Sequence, residues 1–222
     1  DYLTVKYNSS GIEQWRKVFN GGDNDRVSLL KLDGAGNVYV TGQSDIDPSG
    51  GNSDYNFRTI KYDPTGVVVW NTLSGNPVLQ EDTPTDMFID ASGNIYVTGK
   101  SDAIGGGNVN FEFMTVKYNS AGAQQWAAYF DGTTSNAEDI PATVLTDASS
   151  NVWVFGAANF TATQKDCTAL KYTAAGVLSA TKTINGKGDF NDKVNALTTD
   201  ASGNSIVVGY TMAAGQQRNI LI

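Results

Sequence analysis

Four copies of one phrase, 54 to 56 residues apart, constrain this 222-residue chain more than any other feature. The phrase runs T-V-K-Y-N-x-x-G-x-x-x-W, a short gap, then an Asp followed eight residues later by D-x-x-G-N-V-Y-V-T-G. The Lys-Tyr pair recurs at Lys6-Tyr7, Lys61-Tyr62, Lys117-Tyr118 and Lys171-Tyr172. One Asp column is Asp25, Asp82, Asp139 and Asp192; the second is Asp33, Asp90, Asp147 and Asp200. A period of this length marks a repeat array, in which each unit buries its faces only against its neighbours. It also limits any functional reading, because a residue written once per unit is explained first by what every unit needs in order to fold.

Within a unit the pattern alternates with period two, the signature of strands. In Asn37 to Thr41, Val38 and Val40 point one way and Tyr39 and Thr41 the other. Val27 to Leu32 precedes it as a second strand, joined through Asp33-Gly34-Ala35-Gly36. An Asp that bonds its own backbone and a Gly that supplies positive φ are what a tight hairpin requires. The third copy has Ser150 in the glycine column, so that hairpin is expected to be the strained one. A third strand, Tyr2 to Tyr7, turns through Asn8-Ser9-Ser10-Gly11 into a fourth that carries Trp15, Trp70 and Trp126, with Ala180 in the last copy. No segment keeps a helical period.

Four short antiparallel strands per ~55-residue unit describe a propeller blade. The expectation is therefore an all-β chain, a β-propeller of four such repeats with four-stranded antiparallel blades, rather than a β-solenoid, whose coils are shorter. Strand A starts at Asp25, B at Asn37, C at Asp54 and D at Gly66. Residues 1–222 form a single array, with repeats at about 1–53, 54–110, 111–165 and 166–218 and a further strand beginning at 219–222. The chain starts in strand C and ends in strand C. Both a closed four-bladed ring and an arc of a larger propeller fit this phase; seven blades would need ~385 residues.

Charge and composition exclude several function classes. The net charge of −8 argues against nucleic acid, which needs a basic footprint. Apolar runs of about four residues, such as Val67 to Trp70, are too short for membrane insertion as a helix. The chain has no histidine, which removes Ser-His-Asp and Cys-His catalysis and His-ligated zinc. The single cysteine, Cys167, falls in the column of Tyr2, Phe57 and Phe113 and reads as a buried apolar position rather than a reactive thiol. With no visible signal peptide and a start inside a repeat, the chain reads as a trimmed piece of a longer precursor.

The phrases D-Y-L-T-V-K-Y (1–7), D-A-S-G-N-I-Y-V-T-G (90–99) and G-A-Q-Q-W (122–126) resemble the β-propeller repeat family of secreted bacterial proteins, often called the seven-bladed propeller repeat. The resemblance spans the chain in four copies and is strongest in the first three. It implies a propeller with an extracellular or cell-surface location. It implies no activity, because the family shares no catalytic motif.

Three places are candidates for a site. The Asp25 and Lys6 columns are complete in all four copies. They read either as carboxylates around a cation in the central channel or as a hydrogen bond or Asp–Lys pair that locks each blade to the next; the second is favoured, since buried charges need partners. The B–C loops (43–53, 100–110, 157–165, 210–217) and D–A loops (20–24, 74–81, 131–138, 185–191) share one face and differ from copy to copy, as ligand-binding loops on a rigid scaffold do. One of them reads D-x-D-x-S-G: Asp45, Asp47, Ser49 and then Asp54 alternate oxygen side chains around a Gly turn, the pattern that wraps calcium. Asn56 stands where an EF-hand would place its closing Glu. The motif occurs once and lacks flanking helices, so Asp45, Asp47, Ser49 and Asp54 read either as a calcium site or as a solvated acidic loop; the second is favoured, and calcium is the one cofactor the sequence offers.

No carboxylate pair stands apart from the repeat, so the chain is expected not to be an enzyme. The functional expectation is an extracellular or cell-surface binding, adhesion or assembly module. Its partner would be a protein or glycan at the loop face, or another copy of itself. The alternatives are a fragment of a secreted propeller hydrolase with its catalytic residues elsewhere, and a passive spacer.

Overall fold

The computed structural model describes residues 1–22, 24–46, 54–75, 81–102, 110–132, 138–161, 164–184, 192–200, 204–211 and 219–221. All regular structure among them is β. A leading pair, β1 (Tyr2–Tyr7) and β2 (Glu13–Phe19), is followed by three full blades. Blade I is β3 (Asp25–Leu32), β4 (Val38–Asp45), β5 (Tyr55–Tyr62) and β6 (Val68–Ser74). Blade II is β7 (Asp82–Ile89), β8 (Ile95–Asp102), β9 (Phe111–Tyr118) and β10 (Gln124–Phe130). Blade III is β11 (Ile140–Thr146), β12 (Val152–Thr161), β13 (Gln164–Tyr172) and β14 (Leu178–Ile184). A trailing sheet holds β15 (Lys193–Thr199), β16 (Ser205–Thr211) and β17 (Asn219–Leu221). Every sheet is an antiparallel meander in chain order, and the A strands β3, β7, β11 and β15 lie side by side. This is a β-propeller arrangement. The sequence repeat (C-D-A-B) is out of phase with the blade (A-B-C-D), so four repeats yield three whole blades and two partial ones. Among the described residues the leading pair and the trailing sheet remain separate sheets.

The core lies between blades, not within them. Tyr2, Val38, Val40, Ile60 and Tyr62 join the leading pair to blade I. A larger cluster built on Tyr39, Phe57, Met87, Val97, Met114 and Tyr118 joins blades I and II. Blades II and III meet over Phe113, Val144, Val154, Leu170 and Tyr172. At the last junction the described residues give a smaller buried cluster, Phe155, Cys167, Ala169 and Val194, with Ala142, Trp153, Leu197 and Val207 packed against it. Strand B of the three full blades is therefore covered on both faces, and β4 is buried along its whole length.

The two tight turns explain the repeated polar residues. The Asp33 carboxylate accepts the backbone N–H of Ala35 (3.0 Å) and Asn37 (2.9 Å), the Asn37 side-chain amide (2.7 Å) and the Tyr39 hydroxyl (3.1 Å). Asp90 and Asp147 repeat the arrangement, with the Trp153 indole in the Tyr position of blade III. Burial alone would raise these three carboxyls, but the bonds from Asn37, Asn94 and Asn151 and their neighbours outweigh it and hold them below the ordinary aspartate range. Ser150 adopts φ +62°, the one positive-φ residue other than glycine among those described, which is the strain its column predicts.

The C–D turn carries the clasp between blades. Trp15, Trp70 and Trp126 donate their indole N–H to Pro64, Ser120 and Ala174 carbonyls in the next blade's turn, at 3.1, 3.2 and 3.1 Å. In the same turns Gly66, Gly122 and Gly176 have φ of +81° to +85°, and a Cβ there would stand 2.5 to 2.8 Å from the Trp ring. The Trp and Gly columns are thus one device. The lysines join it: Lys6 and Lys117 donate to the Pro64 and Ala174 carbonyls at 2.9 and 3.2 Å. Lys61, Lys117 and Lys171 also lie over the rings of Tyr39, Tyr96 and Trp153, their cross-strand partners. The expected lock between blades is present, but as Lys to carbonyl. The Asp25 column sits at the opposite end of the blade.

Candidate functional site

The loop face is built on the first Asp column. Asp25, Asp82, Asp139 and Asp192 are all buried at the start of strand A. Asp25 accepts the Gly21 N–H and the Ser44 hydroxyl, each at 2.6 Å. Asp139 accepts the N–H of Gly132 (2.7 Å) and of Asn159 (2.7 Å). Asp25 and Asp139 thus each tie down their own D–A loop from inside the blade, with oxygens that accept loop backbone N–H groups rather than facing a channel cation. Strand B also runs further than its alternation suggested. β4 reaches Asp45 and β8 reaches Asp102, while in blade III only 162–163 separate β12 from β13. Polar residues such as Ser44 keep the pairing alive by bonding inward.

The calcium motif is divided by the structure. Asp45 is the last residue of β4 and buried; its carboxylate accepts the Asp54 N–H at 3.2 Å. The Asp54 carboxylate accepts the Asn56 amide at 2.8 Å, and its carbonyl accepts the Ile46 N–H. Asp45 and Asp54 are therefore brought together at the base of the loop. Asp47 and Ser49 lie outside the described residues. Among the described residues no three His, Cys, Asp or Glu side chains form a metal-holding group.

The blade junctions differ at this face. Between blades I and II, the Gln43 amide donates to the Thr83 hydroxyl at 2.9 Å. Between II and III, Glu138 bridges Lys165 (2.9 Å) and Lys100 (3.4 Å), and Lys100 lies 3.9 Å from the centre of the Phe111 ring. Burial would raise the Glu138 carboxyl, but the two lysines hold it below the ordinary range. Beside them, burial next to the charges of Asp131 and Asp139 pushes the Glu112 carboxyl up to about 7. Sequence reasoning missed Glu112. Its column reads Asp1, Asn56, Glu112 and Asp166, so the signal was there, but only a register places it against a neighbouring blade's Asp.

At the last junction lies a cavity of about 230 Å³, lined by Ile140, Ala157, Val194, Lys165, Asp192 and Tyr210 among others. Cys167 is buried at the same junction in a cluster with Phe155, Ala169 and Val194, and burial with the charges of Asp192 and Asp166 pushes its thiol up to about 12. That fits the expected apolar role and not a nucleophile. A shallower cleft of about 600 Å³ lies between the A–B turns of blades I and II, where Asp33 and Asp90 are already committed to their turns.

No family model and no curated protein sequence matches the chain. Among solved structures, a protein of unknown function from Bacteroides caccae superposes with a TM-score of 0.50 at 11% identity, over 96% of this chain. The chain covers 65% of that protein's length, just under two thirds. An endo-arabinase from Bacteroides thetaiotaomicron superposes with a TM-score of 0.46 at 12% identity, over 89% of this chain and 72% of its own. The likeness to the first is one of fold: all-β sheets in a propeller-like array.

Proposed function

We propose that this chain is a non-catalytic binding module of an extracellular or cell-surface protein, which meets a protein or glycan through its loop face. The observation that carries this reading is the contrast between the two faces. At the turn face, indole, glycine and carbonyl close the three junctions from the leading pair to blade III in the same way. At the loop face the side chains differ: the Gln43 amide donates to Thr83 and Glu81 between blades I and II, two lysines meet Glu138 between II and III, and a cavity lies at the last junction, where Ala180 also leaves the turn face without its Trp. Folding explains the constant face and leaves the variable one to be explained by a ligand. The test is to probe the immobilised chain with glycan and peptide arrays. A saturable ligand lost in Lys100→Ala but kept in Lys6→Ala supports the reading. A ligand lost only with the turn-face change, or none at all, sinks it in favour of a spacer.

Calcium belongs to this proposal as an ordering ion for the loop between Asp45 and Asp54. Thermal unfolding with excess calcium and with EDTA checks it. A ligand bound only by the folded state at a hundred times its dissociation constant adds about 2.7 kcal/mol. A calcium-dependent rise that vanishes in Asp47→Ala supports the ion; identical curves remove it.

One observation favours a second reading. Glu112 holds its proton up to about 7 and stands beside the charges of Asp131 and Asp139, and a raised carboxyl near a second one is what glycoside hydrolysis uses. A hydrolase fragment would release reducing sugar from polysaccharides and lose that activity in Glu112→Gln; a binding module would release none.

A further inference from the structure

The indole clasp has a fourth socket. Where it is occupied, the geometry repeats: Trp15, Trp70 and Trp126 lie 5.9, 6.2 and 6.1 Å from the rings of Tyr62, Tyr118 and Tyr172, with interplanar angles of 31° to 34°. Each indole also covers a turn glycine, Gly66, Gly122 or Gly176, and donates to the carbonyl two residues before it. The leading pair carries the same parts. Its β1–β2 turn is closed by the two backbone bonds of the Asp63 to Val67 turn: Gly11 N–H donates to Asn8 at 3.0 Å and Asn8 N–H to Ile12 at 2.9 Å. Gly11 has φ +76°, Tyr7 stands in the tyrosine column, and the Ser9 carbonyl stands where Pro64, Ser120 and Ala174 present theirs. No described atom comes within 4 Å of a Cβ on Gly11. Tyr7 is 56% exposed, whereas Tyr62, Tyr118 and Tyr172 are buried.

The surroundings of this socket are uncovered in the same way. Leu3, Val5 and Tyr7 alternate onto the face of β1 that looks away from blade I. Leu3 is exposed, and so is its cross-strand partner Val18. Val5 is half-buried, while its equivalents Ile60, Val116 and Leu170 are fully buried in the clusters between sheets. None of the chain's own indoles is left for the socket. Trp15, Trp70 and Trp126 are engaged in the other three, and Trp153, the last of the 4, donates to Asp147 within blade III. Beyond Trp153 the sequence has no tryptophan, so the exposed Ile206 and Val208 of the trailing sheet bring none to a second copy.

We propose that the turn of the leading pair is a docking socket for one indole, carried on the last strand of a β-blade from outside these 222 residues. The three occupied copies define that partner. Its Trp stacks on Tyr7, covers Gly11 and donates its N–H to the Ser9 carbonyl, and apolar residues beside it cover Leu3, Val5 and Val18. An indole suits the place because it joins a large apolar face to a single donor. This surface lies at the turn end of the leading pair, away from the loop face, and it stands or falls independently of the ligand proposed there.

The experiment titrates the full chain with a soluble mimic of such a strand, the capped peptide Gly-Ile-Glu-Gln-Trp-Arg-Lys-Val-Phe that copies residues 11–19, and with the same peptide carrying Ala for Trp. Calorimetry gives the affinity and amide NMR the location. Saturable binding of the Trp peptide is expected, with shifts at Tyr7 and Gly11. The Ala peptide should bind at least about tenfold more weakly, a loss of about 1.4 kcal/mol. Gly11→Asn places a Cβ under the ring while asparagine tolerates the positive φ, so that chain should keep its Tm and lose the peptide. Tyr7→Ala removes the stacking partner at an exposed position and should weaken the Trp peptide by a similar factor. No saturation, equal binding of the two peptides, or unchanged binding in either variant overturns the socket. Shifts confined to Gly66 would mean that the peptide displaces β2 from its own socket, and they overturn it as well. Self-association of the parent chain that shields Tyr7 without peptide would make a second copy the occupant, against the proposal.

Discussion

The junction between blades I and II and the junction between blade III and the trailing sheet draw on the same sequence columns and end unlike. At the first, Phe57, Met87, Met114 and Tyr118 are buried, Trp70 clasps the next turn, and Gln43 crosses to Thr83. At the second, the corresponding positions hold Cys167 for Phe57, Ala180 for Trp70 and Ala157 for Gln43, and a cavity remains. Ile206 likewise stands in the column of Tyr39, Tyr96 and Trp153 and is exposed. In a repeat array stability is close to a sum of units and nearest-neighbour interfaces. Losing large side chains at one interface therefore weakens that interface without unfolding the rest, which leaves room for a cavity that the tightly packed junctions cannot hold.

The largest test of that contrast is truncation at equivalent positions. Phe57→Ala removes a fully buried ring and should cost about 3–5 kcal/mol. In a chain of this size that lowers Tm by roughly 10 °C. Cys167→Ala should cost about 1 kcal/mol, since little packing is lost. Thermal unfolding followed by far-UV circular dichroism reads both. Equal losses would mean that the two junctions are energetically alike, and the comparison would fail.

A smaller effect separates the turns. Asp90→Ala strips bonds from two backbone N–H groups, the Asn94 amide and the buried Tyr96 hydroxyl. Leaving those donors unmade should cost about 2–3 kcal/mol. Asp200 accepts the Asn204 N–H and amide at 2.8 Å each, but Ile206 offers no donor in the Tyr96 position. Asp200→Ala should therefore cost about 1 kcal/mol. Denaturant titration of the two variants decides the order, and a reversed order would show that the trailing sheet is not the weaker end.

These same residues show what the sequence disclosed. Asp33, Gly36 and Asn37 act within six residues of one another, so their spacing alone predicted the turn and the strand pair around it. The columns Lys6 and Asp25 were visible too, but their partners were not. Lys6 reaches a carbonyl at Pro64, 58 residues away, and a backbone carbonyl leaves no mark in a sequence. The length of strand B was underestimated because Gln43 to Asp45 are polar, and polar residues at a strand end look like loop until Ser44 is seen bonding to Asp25. The cavity was hardest to read. Ala157 and Lys165 line it where blade I has Gln43 and Tyr55, departures that become one feature only when the strands are brought together.

Ser150 gives a smaller effect of opposite sign. At φ +62° it holds a conformation that costs an L-residue about 1–2 kcal/mol, whereas the equivalent Gly36 and Gly93 adopt +80° and +76° freely. Ser150→Gly should stabilise blade III by about 0.5–1 kcal/mol after the extra unfolded-state entropy of glycine is counted. A chain that melts lower than the parent would mean the Ser side chain contributes more in the turn than its strain removes.

The smallest expected effect is a slope, and it lies at the junction between blades II and III. Glu112 titrates near 7 in the folded chain, raised by burial and by Asp131 and Asp139 from the 4.5 of a free side chain. The folded state then holds a proton that the unfolded state has released between about 4.5 and 7, so stability falls as pH rises through that window. Asp139 is raised as well, mainly by burial, and contributes in the same direction from its own lower starting point. The turn carboxylates Asp33, Asp90 and Asp147 act oppositely: their lowered values give stability that is present at neutral pH and lost as pH drops below the ordinary aspartate range. Tm plotted against pH should therefore rise out of strong acid, peak near pH 5, and decline gently toward 7. Glu112 is only half-buried, so solvent screens much of the effect and the decline will be shallow. Glu112→Gln removes the proton exchange without removing the side chain, and it should flatten the decline above pH 5 while leaving the acid limb unchanged. A decline that persists in that variant would move its origin to another carboxylate. It would also leave Glu112 without the held proton on which the hydrolase reading depends.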